Sequence, residues 1–115
     1  MSYDIRIGVQ IANTDIIYPI GAPDYDSPTY NLGKMFRACT GWNFSQGEWY
    51  YVNAVIKNIE QGLHELITNS EQYRGYEPEN KWGTVESAIQ TLKSLKECIY
   101  EFAEDIPIDC LWVRW

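Results

Sequence analysis

The sequence predicts an α+β domain: a small, mostly antiparallel sheet of about three strands with three helices packed on it, in the order β-β-α-α-α-β. Three observations carry this reading. "YDIRIGVQI", near the start, alternates apolar and polar residues, which is the period of a half-buried strand. Two later stretches, 45–70 and 84–103, repeat apolar residues every third or fourth position, the period of a helix. The chain closes on "IDCLWVRW", a short apolar run behind Pro107 that reads as a strand. With 115 residues, 45% of them hydrophobic, the chain fits one domain over 1–115 and can form a core.

In the first strand Tyr3, Ile5, Ile7, Val9 and Ile11 share one face, and Asp4, Arg6, Gly8 and Gln10 share the other. "ANTD" at 12–15 is a turn, and "IIYPI" is the second strand of a hairpin. Pro19 has no amide hydrogen to give, which suits an edge strand. "GAPDYDSPTY" is a loop broken by Pro23 and Pro28. Leu32, Met35, Phe36 and Cys39 then recur at helical spacing and predict a short helix, although Gly33 weakens it. The second helix is expected to begin at an S-x-x-E capping box, Ser45 and Glu48. Its apolar stripe is Val52, Val55, Ile56, Ile59, Leu63, Leu66 and Ile67. The third helix starts near Thr84 and buries Val85, Ala88, Ile89, Leu92, Leu95, Ile99, Phe102 and Ala103. In the last strand Cys110 and Trp112 lie on one face, and Leu111, Val113 and Trp115 on the other. Both faces are apolar, so each expects a cover, either a helix or a partner.

Composition narrows the function. The formal net charge of −7 repels nucleic-acid phosphates and anionic lipid, so neither direct nucleic-acid binding nor membrane association is expected. No uncharged run has the length and apolarity of a membrane span, and "MSYDIRIGV" has neither a basic nor an apolar leader segment. Cys39, Cys98 and Cys110 are widely spaced and form no CxxC pair, which fits small buried side chains in a reducing cytosol better than a disulfide framework or metal ligands. The only histidine, His64, shares a polar helix face with Lys57, Glu60, Gln61 and Thr68. No metal-protease, calcium-loop, P-loop or dinucleotide motif occurs. No catalytic residue, cofactor or metal ligand is therefore assigned.

Two candidate sites remain. Glu97, Glu101, Glu104 and Asp105 form an acidic stripe at the C-terminal end of the last helix, where the helix dipole is negative and a basic residue is the usual choice. Such a stripe suits a basic protein surface, for instance the groove of a nucleic-acid-binding protein, with Asp24, Asp26 and Asp4 extending it and Trp112 or Trp115 as apolar anchors. The other candidate is a small-ligand site. Asn31, Lys34 and Arg37 fall on one helix face, while Trp82 and Thr84, flanked by Lys81, stand at a helix start whose free amides attract anions. The competing reading of "KWGT" is structural: Thr84 as N-cap, Glu86 in the first turn, Gly83 for a tight turn, and Trp82 packing back on the helix.

"YDIRIGV", "YDSPTYNLGKMFRA", "NKWGTVESA" and "IPIDCLWVRW" together resemble a family of small, largely uncharacterised proteins of phages and prophages from Firmicutes and gut metagenomes. Its T-x-N-L-x-x-M element reads here as Thr29, Asn31, Leu32 and Met35, and its W-G-T/S element as Trp82, Gly83 and Thr84. The resemblance covers most of the chain and brings no catalytic residue. It implies a phage accessory protein in the cytoplasm of the bacterial host, one that blocks a defence protein in the manner of an anti-CRISPR. The alternatives are a sponge for a defence-signalling nucleotide, built as a homo-oligomer, and a phage structural or regulatory adaptor.

Overall fold

The alternation of "YDIRIGVQI" and the apolar character of "LWVR" place these two segments side by side at the centre of one sheet. The computed structural model describes residues 2–80 and 82–115. Strands β1 (Arg6–Gln10), β2 (Ile17–Gly21), β3 (Trp49–Tyr51) and β4 (Leu111–Arg114) form a four-stranded antiparallel sheet in the order β2-β1-β4-β3. Helices α1 (Gly33–Thr40), α2 (Val52–Thr68), α3 (Ser70–Tyr73, a single turn) and α4 (Val85–Ala103) complete the chain, with three short 3-10 turns between elements. The α+β class holds, with one strand and one helical turn more than the sequence predicts.

The extra strand lies inside the segment read as the start of the second helix. Ser45 does not cap a helix: its amide donates to the Tyr50 hydroxyl, which in turn donates to Glu48. "WYY" pairs instead with β4, Tyr50 standing opposite Val113, and the helix begins only at Val52. A non-local ladder outweighs local helix spacing here, and the aromatic residues of β3 favour a strand. The hairpin forms as expected, turning through Asn13 at φ 63°, and β2 with Pro19 is an edge strand.

The register assigns the faces. Ile7 and Val113 lie opposite one another and are fully buried, as are Ile5 and Leu111. Trp115 continues this face and is 1% exposed, packed among Tyr3, Phe36, Trp42 and Phe44. The other face carries Trp112 against Tyr51, ring centroids 3.8 Å apart, and Trp49 beneath the Arg114 guanidinium at 4.7 Å. These aromatic and guanidinium groups cover one another rather than a core.

On the buried side α2 packs against both α1 and α4. Gly62 makes this approach possible: a Cβ there would stand 2.5 Å from the Thr40 side chain of α1 and 3.2 Å from Leu92 of α4. The predicted stripes account for most of the interface, with Val52, Val55, Ile56, Ile59 and Leu66 buried against Val85, Ala88, Leu92, Leu95 and Ile99. Ile67 departs from its stripe and is 60% exposed: its neighbour Leu66 takes the core position in the last turn of α2, and Ile67 faces the open groove beside α4.

Candidate functional site

Thr84 settles how the last helix begins. Its side chain accepts from the Ser87 amide at 3.1 Å, and the Ser87 hydroxyl accepts from the Thr84 amide at 2.9 Å, which completes a capping box. The Val85 amide donates to Glu77 at 2.9 Å. Glu86, in the first turn, accepts two hydrogen bonds from Arg74, which hold its carboxyl below the usual range and raise the Arg74 guanidinium further. The Val85 and Ser87 amides are thus already occupied, and the Glu86 carboxylate stands where an anion would come. Trp82 does not pack back on the helix; it is 67% exposed. Lys81 lies outside the described residues.

The proposed small-ligand residues do not assemble. Trp82 stands on the rim of a cleft whose other residues do not include Asn31, Lys34 or Arg37. Arg37 lies 4.4 Å over the Phe44 ring and donates to the Phe44 carbonyl, so it ties α1 to the following loop. Asn31 and Lys34 are solvent-exposed.

The cleft itself, about 520 Å³, runs between the loop Asp24–Thr29 and the chain entering α4. The loop is fixed on both sides. Tyr3 and Ile5 donate to the Pro28 and Asp26 carbonyls at 2.8 Å, and the Tyr25 amide donates to Ser94 of α4 at 3.0 Å. On the opposite wall Gly83 crosses directly over Leu32 at φ 119°, where a Cβ would stand 2.9 Å from the leucine side chain. Thr29 and Leu32 therefore meet Gly83, and the two sequence elements singled out above are neighbours in space. Tyr25, Ser87 and Thr91 also line this cleft, and sequence reading passed them over. The one signal for them was an aromatic residue in a polar loop.

The acidic stripe is better assembled. Glu97, Glu101 and Glu104 line a groove of about 680 Å³ between α2 and α4, whose apolar floor includes Leu63, Ile67, Ile89 and Tyr100. The floor could be found only from the exposed ends of two helical stripes, and sequence reading took both stripes as core. Lys93 and Lys96 line the same groove, between Ile89 and Glu97 along α4. Glu60 of α2 is engaged across the groove by Lys96 at 3.5 Å and by the Tyr100 hydroxyl at 3.1 Å. Glu97 and Glu101 also line a small hollow with Asp24, beside Cys98. Burial, then Glu101 and Asp24, push the Cys98 thiol up to about 11. Asp24 belongs in addition to the cleft, so an acidic track runs from the cleft through the hollow into the groove. Asp4 and Asp26 contribute less charge to it, because Arg6 bridges both at 2.6 and 2.8 Å.

Three expected members fall elsewhere. Asp105 follows the helix and does not line the groove. Trp112 lies on the outer face of the sheet, away from the helices that form the groove. Trp115 is no partner anchor, because it shares the face of Leu111 and Val113 and is enclosed by aromatic rings. Among the described residues no group of carboxylate, histidine and cysteine side chains has metal-binding geometry, and no helix is long and apolar enough to cross a membrane. Comparisons with protein-family models, with curated proteins and with solved structures each return no match.

Proposed function

We propose that the chain is a stoichiometric protein-binding inhibitor whose acidic track occupies a basic surface of its target. The observation that carries this reading is the groove between α2 and α4, where a row of carboxylates flanks an apolar floor. An apolar floor supplies affinity, and an unpaired charged rim supplies attraction and selectivity for a partner of opposite sign. Glu97, Glu101 and Glu104 have no ion-pair partner among the described residues, so their charge is free to meet one. The complementary partner is a basic, nucleic-acid-binding protein. The sequence resemblance makes that partner an effector of bacterial defence.

The test is phage growth on bacteria that carry a nucleic-acid-binding defence effector, with and without expression of the chain. The native chain should restore phage growth, and Glu97→Lys, Glu101→Lys and Glu104→Lys combined should abolish the effect while the protein stays folded. Full protection of phage by the triple variant would rule out the acidic track as the binding surface. No protection by the native chain across several defended hosts would rule out the inhibitor reading.

A further inference from the structure

We infer that the cleft beside Trp82 is a binding pocket for a guanidinium group, taking one arginine side chain of a basic partner segment. The Ser27 hydroxyl donates to Asp26, the Ser87 hydroxyl to the Thr84 carbonyl at 2.9 Å, and the Thr91 hydroxyl to the Ser87 carbonyl at 2.9 Å. The amides of Tyr25, Trp82 and Ser87 are committed to Ser94, Asn80 and Thr84. Ser27 and Thr91 thereby spend their hydroxyl protons within the chain, and what they keep for a ligand, beside the Asp24 carboxylate, is lone pairs. A ligand matched to lone pairs is rich in donors, and an anion is not.

Charge points the same way. Asp26 is neutralised by Arg6, but Asp24 has no ion-pair partner among the described residues. At the capped start of α4 the Thr84, Val85 and Ser87 amides are already taken by Ser87, Glu77 and Thr84. Shape then selects among cations. Trp82 and Tyr25 are two exposed aromatic side chains lining the cleft, and Gly83 holds the Trp82 backbone in place against Leu32. A planar guanidinium stacks on an aromatic face and donates in its own plane to a carboxylate, whereas an ammonium is a compact, strongly hydrated point charge. The volume of about 520 Å³ exceeds one guanidinium and leaves room for the adjoining peptide. Asp24 joins the cleft to the acidic track, so the next residues of the same segment reach Glu97 and Glu101. The pocket deepens the proposed function and rests on it for the nature of the partner, but it can be tested without one.

The test is a titration of the isotope-labelled chain with acetyl-Gly-Arg-Gly-amide, followed by amide and indole chemical shifts. The lysine and citrulline versions of the peptide serve as comparisons. The arginine peptide should shift the Trp82 indole, Tyr25 and Ser87 in a saturable way. Citrulline, which keeps the shape without the charge, should not bind. Lysine should bind several-fold more weakly. Trp82→Ala and Asp24→Asn should each weaken the arginine peptide by about tenfold. Both side chains are exposed, so these variants should fold as the parent does. Glu104→Lys, in the groove and outside the cleft, should leave the titration within about twofold of the parent, as expected of an exposed charge screened by salt. Equal binding of citrulline, or shifts spread over every acidic residue with none at Trp82, would overturn the proposal. A positive titration beside an inactive chain in the phage assay would remove the inhibitor reading and leave the pocket. The reverse result would remove the pocket alone.

Discussion

Gly83→Ala tests whether the Trp82 link is held by the backbone. Gly83 has φ 119°, a region that an L-residue side chain strongly disfavours. The strain of holding alanine there is about 1–3 kcal/mol. A new methyl would also stand 2.9 Å from Leu32 Cγ and Cδ2 and 3.1 Å from Thr29 Cγ2. Overpacking against a fully buried leucine adds about 1–3 kcal/mol. The link lies at the surface and can swing outward, so part of the strain relaxes and the expected loss is about 2–4 kcal/mol. Urea denaturation measures it as a lower midpoint with an unchanged slope. Thr84→Ala is the control: it removes the N-cap, costs about 1 kcal/mol and leaves the glycine geometry alone. If Gly83→Ala fell within about 0.5 kcal/mol of the parent, the close approach to Leu32 would not be what places Trp82 on the cleft.

The sheet separates two tryptophans that sequence spacing alone offered together. Trp115→Ala should cost about 3–5 kcal/mol in the same denaturation experiment, and Trp112→Ala clearly less, because only Trp115 is enclosed. Thiol reactivity should divide in a similar way. Cys110 is exposed and should react with a thiol reagent in the native state, whereas Cys39 and Cys98 should react only on unfolding. Burial pushes their thiols up to about 12 and about 11, so the folded state keeps both protonated at neutral pH. The sign of the linkage follows: stability is flat below the ordinary value of 9.0 and falls as pH rises from there toward those raised values. Glu101→Lys and Glu104→Lys should each raise stability by about 0.3–1 kcal/mol at low salt while they weaken partner binding.

Sequence pattern carried the fold wherever the pattern was local. The hairpin, the three main helices and the Thr84 cap all follow from spacing within about twenty residues, where apolar period and capping chemistry act directly. Strand β3 was hidden because its partner β4 lies some sixty residues away, and because Ser45 and Glu48 imitate a cap at the right spacing. Trp115 shows a different kind of miss. Alternation placed it with Leu111 and Val113, but alternation cannot say which of two apolar faces the helices will cover. The cleft was illegible for a third reason. Its walls come from Asp24–Thr29 and Trp82–Thr91, and only the folded chain shows that Gly83 rests on Leu32.

The two ends of α4 show which of its acids serve the fold. At the N-terminus Glu86 is held by Arg74, and Glu77 accepts from the Val85 amide, so both complement the positive end of the dipole. At the other end Glu101 and Glu104 flank the last turn, which holds no basic residue. Their charge meets the negative end of the dipole and one another, and no ion pair among the described residues relieves it. The fold therefore gains nothing from them, and local stability argues for lysine at either position. Acids that oppose the stability of their own helix, above an apolar floor and in line with Asp24, fit the proposed role of meeting a basic partner. The lysine substitutions examine this reasoning directly. A gain in stability together with a loss of binding is its signature, and a loss of stability at either site would mean that the carboxylates hold the helix end in some other way.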